Sequence, residues 1–207
     1  RVIHETQAMY PNITENSDYA GVFDERHFAR LQGYIDDAVA KGAKLTIVGA
    51  DKTRAAENNR RMPLHILQNV TEDMQVMHEE IFGPILPVMT YTDITEVPDK
   101  IEPRRNPLAL YYFGKDNAEQ EYLLNHVPSG GACINDITLH YVQEDLPFGG
   151  VGASGMGAYH GPEGFKNMSH GRAIYSQTMI DILPIVGARP PFGKKFRKNI
   201  SKILGAI

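Results

Sequence analysis

The run Leu108-Ala109-Leu110-Tyr111-Tyr112-Phe113 contains no polar interruption. A strand with one face in water alternates apolar and polar side chains. An unbroken apolar run is the pattern of a strand covered on both faces, which occurs where helices flank a parallel sheet. The segments around it agree. Phe28, Leu31, Ile35, Ala38 and Val39 mark one face of a helix. Asp24 stands as its N-cap, Phe23 and Phe28 are spaced for a hydrophobic staple, and Gly42 closes it. Lys44 to Val48 follows as a short strand, and Asp51 to Arg61 reads as a polar loop. Leu64 to Val70 and Ile85 to Tyr91 read as strands. Thr95 to Arg105 reads as a short helix that tolerates Pro98 in its first turn and must end or kink at Pro103. Asn117 to His126 is a helix, and Gly130-Gly131 leads into a strand over Ala132 to Asn135. Pro147 to Gly164 is glycine-rich and irregular, and Arg172 to Gln177 has the composition of an edge strand. The expected fold is α/β: an open, mostly parallel sheet flanked by helices.

With 42% apolar residues among 207, the chain can build a core. A charged fraction of 22% and a net charge of −4 point to neither a disordered tail nor a nucleic-acid binder. One cysteine allows no internal disulfide, which fits a reducing, cytoplasmic setting. No apolar run is long enough to span a bilayer. Val2, Ile3, Thr6, Met9 and Tyr10 fall at helical spacing with no capping residue before them. The expectation there is a chain cut from something longer.

The run Glu79-Glu80-Ile81-Phe82-Gly83-Pro84 sets two acids beside an aromatic and ends in a backbone break. A carboxylate, an apolar ring and a rigid turn suit a polar ring system with hydroxyls attached, such as a nicotinamide riboside. Met77-His78-Glu79-Glu80-Ile81-Phe82-Gly83-Pro84 and Leu146-Pro147-Phe148-Gly149-Gly150-Val151-Gly152-Ala153-Ser154-Gly155-Met156-Gly157 occur in that order, with Pro107 to Tyr111 between them. Together they resemble the C-terminal half of an aldehyde dehydrogenase. Tyr159-His160-Gly161 and Phe165 to His170 resemble the class 3-like branch, and Asp136 to Gly161 is similar to coniferyl aldehyde dehydrogenases.

The resemblance implies specific roles. Glu80 would hydrogen-bond the nicotinamide ribose hydroxyls, and Phe82 would pack near the nicotinamide ring of NAD or NADP. Glu79 reads as structural, because neighbouring side chains tend to diverge. Thr138, Tyr141, Phe148 and His160 fall where this branch lines its aldehyde entrance. The plain alternatives are a surface acid for Glu80, a core ring for Phe82 or Phe148, and a turn-stabilising donor for His160. Thr138 stands where an apolar residue is expected, which leaves substrate choice open. The resemblance places the nucleophilic cysteine and the general-base glutamate upstream, so no catalytic residue is expected in this chain. In the family, the cysteine thiolate attacks the carbonyl, the nicotinamide is reduced, and a glutamate-activated water releases the acid.

Three features invite other readings. Gly150-Val151-Gly152-Ala153-Ser154-Gly155 matches G-x-G-x-x-G, but no apolar strand precedes it and Gly157, Gly161 and Pro162 oppose a helix after it. A tight turn near the substrate tunnel is expected instead. Cys133, within Ala132-Cys133-Ile134, reads as a small buried thiol and not as a nucleophile. The eight histidines show no metal-ligand spacing, and no metal is expected. Beyond Phe192, the residues Phe192, Phe196, Ile200, Ile203 and Leu204 share a helical face opposite a basic one. Packing on a partner subunit or on the rest of the enzyme is favoured there over a membrane surface.

The resulting expectation is the C-terminal part of an NAD(P)-dependent aldehyde dehydrogenase. Residues 1–168 would be a portion of the catalytic domain. Residues 169–207 would form an edge or oligomerisation strand and a basic tail. Its partners would be an aldehyde substrate, the N-terminal half of the same enzyme and a second copy in a homodimer. Alone, it would be inactive. The alternatives are a non-catalytic assembly or binding module of the same fold and, more weakly, a reductase of acyl phosphates.

Overall fold

Helix α1 (Val2–Met9) opens without a capping side chain and buries none of its residues. The computed structural model describes residues 1–49, 60–104 and 106–205, so most of the polar segment expected as a loop after Asp51 lies outside the described residues. Helix α2 (Glu25–Ala40) starts as its sequence dictates: the Asp24 carboxylate accepts from the His27 N–H at 2.6 Å. The expected staple is absent, because Phe23 is 84% exposed while Phe28 turns toward the core. The helix ends on Gly42 at φ +98, with Gly42 N–H bonded to Val39 O and Ala43 N–H to Ala38 O. That paired closure is a Schellman motif, which favours glycine at the left-handed position.

Strand β1 (Lys44–Val48) runs antiparallel to β2 (Leu64–Gln68), and β2 runs parallel to β3 (Ile85–Val88). Both later strands are shorter than expected. Asn69 takes a positive φ of 57, which breaks the extended path after Gln68. Pro87 lies in β3, the edge strand, where a missing N–H is tolerated. The first core forms where Leu31, Ile35 and Ala38 of α2 meet Met62, Leu67, Met74, Val76 and Ile85. Leu31, Met62, Leu67 and Met74 are fully buried, each contributing about 1.5–3 kcal/mol of burial free energy.

The second half is a βαβ unit. Helix α3 (Val97–Ile101) is flanked by 3₁₀ turns, carries Pro98 in its first turn and gives way at Pro103, as expected. Strand β4 (Ala109–Tyr112), helix α4 (Asn117–His126) and strand β5 (Gly131–Ile134) then follow, with β4 and β5 parallel. Asp116 caps α4 through the Ala118 and Glu119 N–H groups. Tyr112, Leu123 and Val127 form a second core with Ile94, Val97 and Ile101. Among the described residues this sheet is packed mainly on one side. Leu108, Tyr111 and Phe113 remain 42%, 40% and 65% exposed, so the apolar run is not covered on both faces. The reason is that α3 and α4 both contribute to the core around Tyr112. Asn135 secures the strand end: its amide donates to Gly114 O and accepts from Gly114 N–H, both at 2.9 Å.

Helix α5 (Leu139–Val142), a 3₁₀ turn at Gly152–Ser154, α6 (Gly161–Asn167) and α7 (Lys194–Leu204) complete the described elements. Helix α6 starts at Gly161 against expectation. Pro162 falls in its first turn, where a missing N–H is no loss. Arg172 to Gln177 is not an edge strand here: it makes no ladder bonds, and Ile174 and Tyr175 are each 77% exposed. A strand forms only against another strand's free edge, and this segment meets none among the described residues. With two parallel pairings and one antiparallel, the fold is α/β, divided between a three-stranded and a two-stranded sheet.

Candidate functional site

The Glu79–Pro84 loop enters β3 under the N-terminal half of α2. Three backbone carbonyls in a row are held by that helix. His27 Nε2 lies 2.8 Å from Phe82 O, and the Arg30 guanidinium donates to Ile81 O at 2.8 Å and to Glu80 O at 3.3 Å. Arg30 also donates to the Tyr34 hydroxyl at 2.6 Å, and Tyr34 donates to the Glu79 carboxylate. Arg30 and Glu79 approach within 3.5 Å as an ion pair. Burial lifts the Tyr34 phenol above its usual range, and its bond to Glu79 pushes the same way, so it stays a neutral donor. The Glu79 carboxylate is therefore engaged by α2.

Glu80 differs. Its residue is exposed, and its carboxylate makes no hydrogen bond or ion pair among the described residues. Phe82 is held at φ +52, a region that bulky side chains rarely enter, and its ring is 74% exposed. A strained aromatic kept in solvent beside a free carboxylate is a costly arrangement for stability alone. Gly83 closes the loop where a Cβ would collide with the buried Leu31 side chain. The resulting surface offers a two-oxygen acceptor for vicinal hydroxyls and an open ring face for a flat heterocycle, which fits a nicotinamide riboside.

A second group gathers around Phe148. Its backbone bridges Tyr159 through two hydrogen bonds of 2.9 Å. Its ring lies 5.4 Å from Tyr141, 5.7 Å from Tyr159 and 5.9 Å from His140. His140 continues to Tyr111 at 5.8 Å, and Tyr159 to His160 at 4.2 Å. Tyr141, Phe148 and His160 thus belong to one aromatic wall. Thr138 is exposed at the start of α5, with φ +59 and no capping bond from its side chain. No hydrogen bond or ring contact among the described residues joins this wall to Glu80 or Phe82. Among the described residues, the Nδ1 atom of His160 and both ring nitrogens of His140 are buried with no hydrogen-bond partner.

The glycine-rich segment is a crossing of backbones. A Cβ on Gly149 would meet Gly157 O, and one on Gly150 would meet Ser154 O. That close approach accounts for Gly149 and Gly150 and sets Phe148 against Tyr159, while Gly152, Gly155 and Gly157 take positive φ. Cys133 is half-buried in β5, opposite Tyr111 in the ladder. Among the described residues no three potential metal ligands cluster.

No site role was read from the sequence for His27, Arg30 and Tyr34, or for Tyr111, His140 and Tyr159. The only signal for the first three is their i, i+3, i+7 spacing along one edge of α2.

Residues 3–174 match the aldehyde dehydrogenase family. The chain belongs to that family. A probable coniferyl aldehyde dehydrogenase of Caulobacter vibrioides is 45% identical over 93% of this chain and 40% of its own length. Another from Pseudomonas aeruginosa is 44% identical over 95% and 40%. The chain thus spans about 40% of the length of these curated relatives. Among solved aldehyde dehydrogenases, the substrate-bound Staphylococcus aureus AldH is 33% identical, with a TM-score of 0.74 over 97% of this chain and 42% of that one. The Pseudomonas syringae AldC structure, which holds NAD+ and octanal, is 26% identical, with a TM-score of 0.61 over 70% of this chain and 30% of that one.

Proposed function

We propose that this chain forms the nicotinamide-facing loop and one wall of the aldehyde channel in an NAD(P)-dependent aldehyde dehydrogenase that oxidises an aldehyde, of the coniferyl type, to its acid. The observation that carries the reading is the free Glu80 carboxylate beside Phe82, both displayed by a loop that α2 holds at a cost in strain. When bound, the oxidised nicotinamide takes up the electrons released by the aldehyde. Glu80 accepts hydrogen bonds from the ribose hydroxyls, and Phe82 limits the tilt of the ring. Tyr141, Phe148 and His160 present an aromatic surface with polar tips, suited to a phenolic aldehyde. Relatives named as probable coniferyl aldehyde dehydrogenases support this substrate class.

No residue of this chain takes the nucleophile's role in this reading, so the 207 residues alone do not turn over. A homodimer and a cytoplasmic setting belong to the same reading. The exposed, unpaired stretch from Arg172 to Gln177 suits pairing along a second copy, and the single free thiol suits a reducing compartment. The test is Glu80→Gln in the intact polypeptide that contains this chain, assayed with coniferyl aldehyde and NAD+. Loss of charge-assisted bonds to the ribose is expected to raise KM for the dinucleotide about tenfold. An unchanged KM and kcat overturn the assignment.

A further inference from the structure

We infer that α7 and the segment before it form a docking surface for an anionic lipid membrane. From Arg189 to Gly205 the chain carries six basic residues and no acidic one, in a chain of net charge −4, so the remainder carries −10. On α7, Lys194, Lys195, Arg197, Lys198 and Lys202 occupy one side. Phe196, Ile200, Ile203 and Leu204 occupy the other, and none of them is buried. Ile203 and Leu204 are 60% and 65% exposed.

The helix is braced locally through Lys195, Phe196 and Asn199, and among the described residues Ile200, Ile203 and Leu204 stay exposed. Asn199 donates to Val186 O at 3.0 Å, Lys195 to Ile185 O at 3.4 Å, and the rings of Phe192 and Phe196 lie 4.5 Å apart. Arg189 pairs with Asp181 at 3.1 Å. The braced segment adds Ile182, Ile185 and Val186 to the exposed apolar surface.

Both an acidic protein surface and an anionic bilayer complement this charge, and composition separates them. Lysine is depleted from protein–protein interfaces, and four of the five cations on α7 are lysines. Lysines surrounding an aromatic and branched-aliphatic stripe are the pattern of a helix lying in the headgroup region, where the long side chains reach outward to anionic lipid while the stripe sinks. With 11 residues, α7 lies on a bilayer and does not cross it; among the described residues no helix is long and apolar enough to cross. The surface stands independently of the dehydrogenase reading.

The experiment is co-sedimentation of the intact polypeptide that contains this chain with phosphatidylcholine vesicles, with and without phosphatidylglycerol, at low and high salt. Binding is expected only with phosphatidylglycerol and is expected to weaken with salt. Each basic residue near an anionic surface is worth about a fivefold change in partitioning, so the charge-reversed variant K194E/K198E/K202E should bind at least about a hundredfold more weakly. The apolar-face variant I200S/I203S should lose binding with its charge intact. Circular dichroism and unfolding midpoints check that both variants fold like the parent. Equal binding to both vesicle types, no binding to either, or full binding by both variants overturns the proposal. So does a tail that instead controls the oligomeric state in size-exclusion chromatography while vesicles go unbound.

Discussion

The left-handed conformation of Phe82 makes a prediction whose sign runs against ordinary expectation. Compare Phe82→Ala with Phe82→Gly in the 207-residue chain. The ring is 74% exposed, so either change removes about a quarter of the contact area of a ~200 Å² side chain, worth about 1 kcal/mol. The two variants then differ only in the backbone. At an unstrained position glycine is the less stable by about 0.5–1 kcal/mol, because its unfolded chain is freer. At φ +52 alanine retains a strain of about 1–3 kcal/mol that glycine relieves. Glycine should therefore be the more stable variant by about 1 kcal/mol. In urea, with a slope of about 2 kcal/mol/M, its midpoint should lie about 0.5 M above that of alanine. Unfolding followed by circular dichroism, with equal slopes for both variants, measures the difference. In the intact enzyme both variants should bind the dinucleotide more weakly than the parent. An alanine variant as stable as the glycine variant, or more so, refutes the argument that the loop is held under strain to present the ring.

The packing of Gly83 predicts that Gly83→Ala pushes Leu31 out of its place in the first core and destabilises the chain by about 1–3 kcal/mol, read by the same unfolding curves. Asp37 supplies the pH dependence. The Gln75 N–H, at 2.8 Å, and then Lys41 hold its carboxyl below the usual aspartate range. Its ionised form is favoured in the folded state, so its contribution is complete above the ordinary value of about 3.9 and is lost as pH falls through the lowered one. Asp37→Asn should flatten that part of the acid limb of stability, and an unaltered limb would count against the assignment.

The backbone elements were legible where the signal is local. Asp24 and Gly42 bound α2, α4 spans Asn117–His126 as expected, and Lys44–Val48 forms as read. What escaped depends on partners distant in sequence. Phe23 and Phe28 have staple spacing, yet only Phe28 finds a core to enter. The run around Tyr111 records a demand for covering without stating which element supplies it. The site divides the same way. Glu80 and Phe82 stand in a family motif, while His27, Arg30 and Tyr34 act on a loop about 50 residues away, which helical periodicity cannot express. Nothing in a phenylalanine announces a positive φ. His140 joined the aromatic wall through its contacts with Tyr111 and Phe148, and a histidine within Leu139–Val142 gives no sign of either.

The carbonyls of Glu80, Ile81 and Phe82 are all held by side chains of α2. That arrangement decides when the loop acquires its shape. The strands can pair without setting residues 80–82, since β2 engages the chain only from Pro84 onward, through His65 N–H to Pro84 O and the ladder at Ile85. The loop geometry is therefore gained when α2 docks and is lost when α2 lifts, even while the sheet persists. In native-state proteolysis, cleavage within residues 80–82 should follow the opening free energy of α2 and not that of their neighbouring strand. A binding surface of this kind switches off by sub-global opening, well before the chain unfolds.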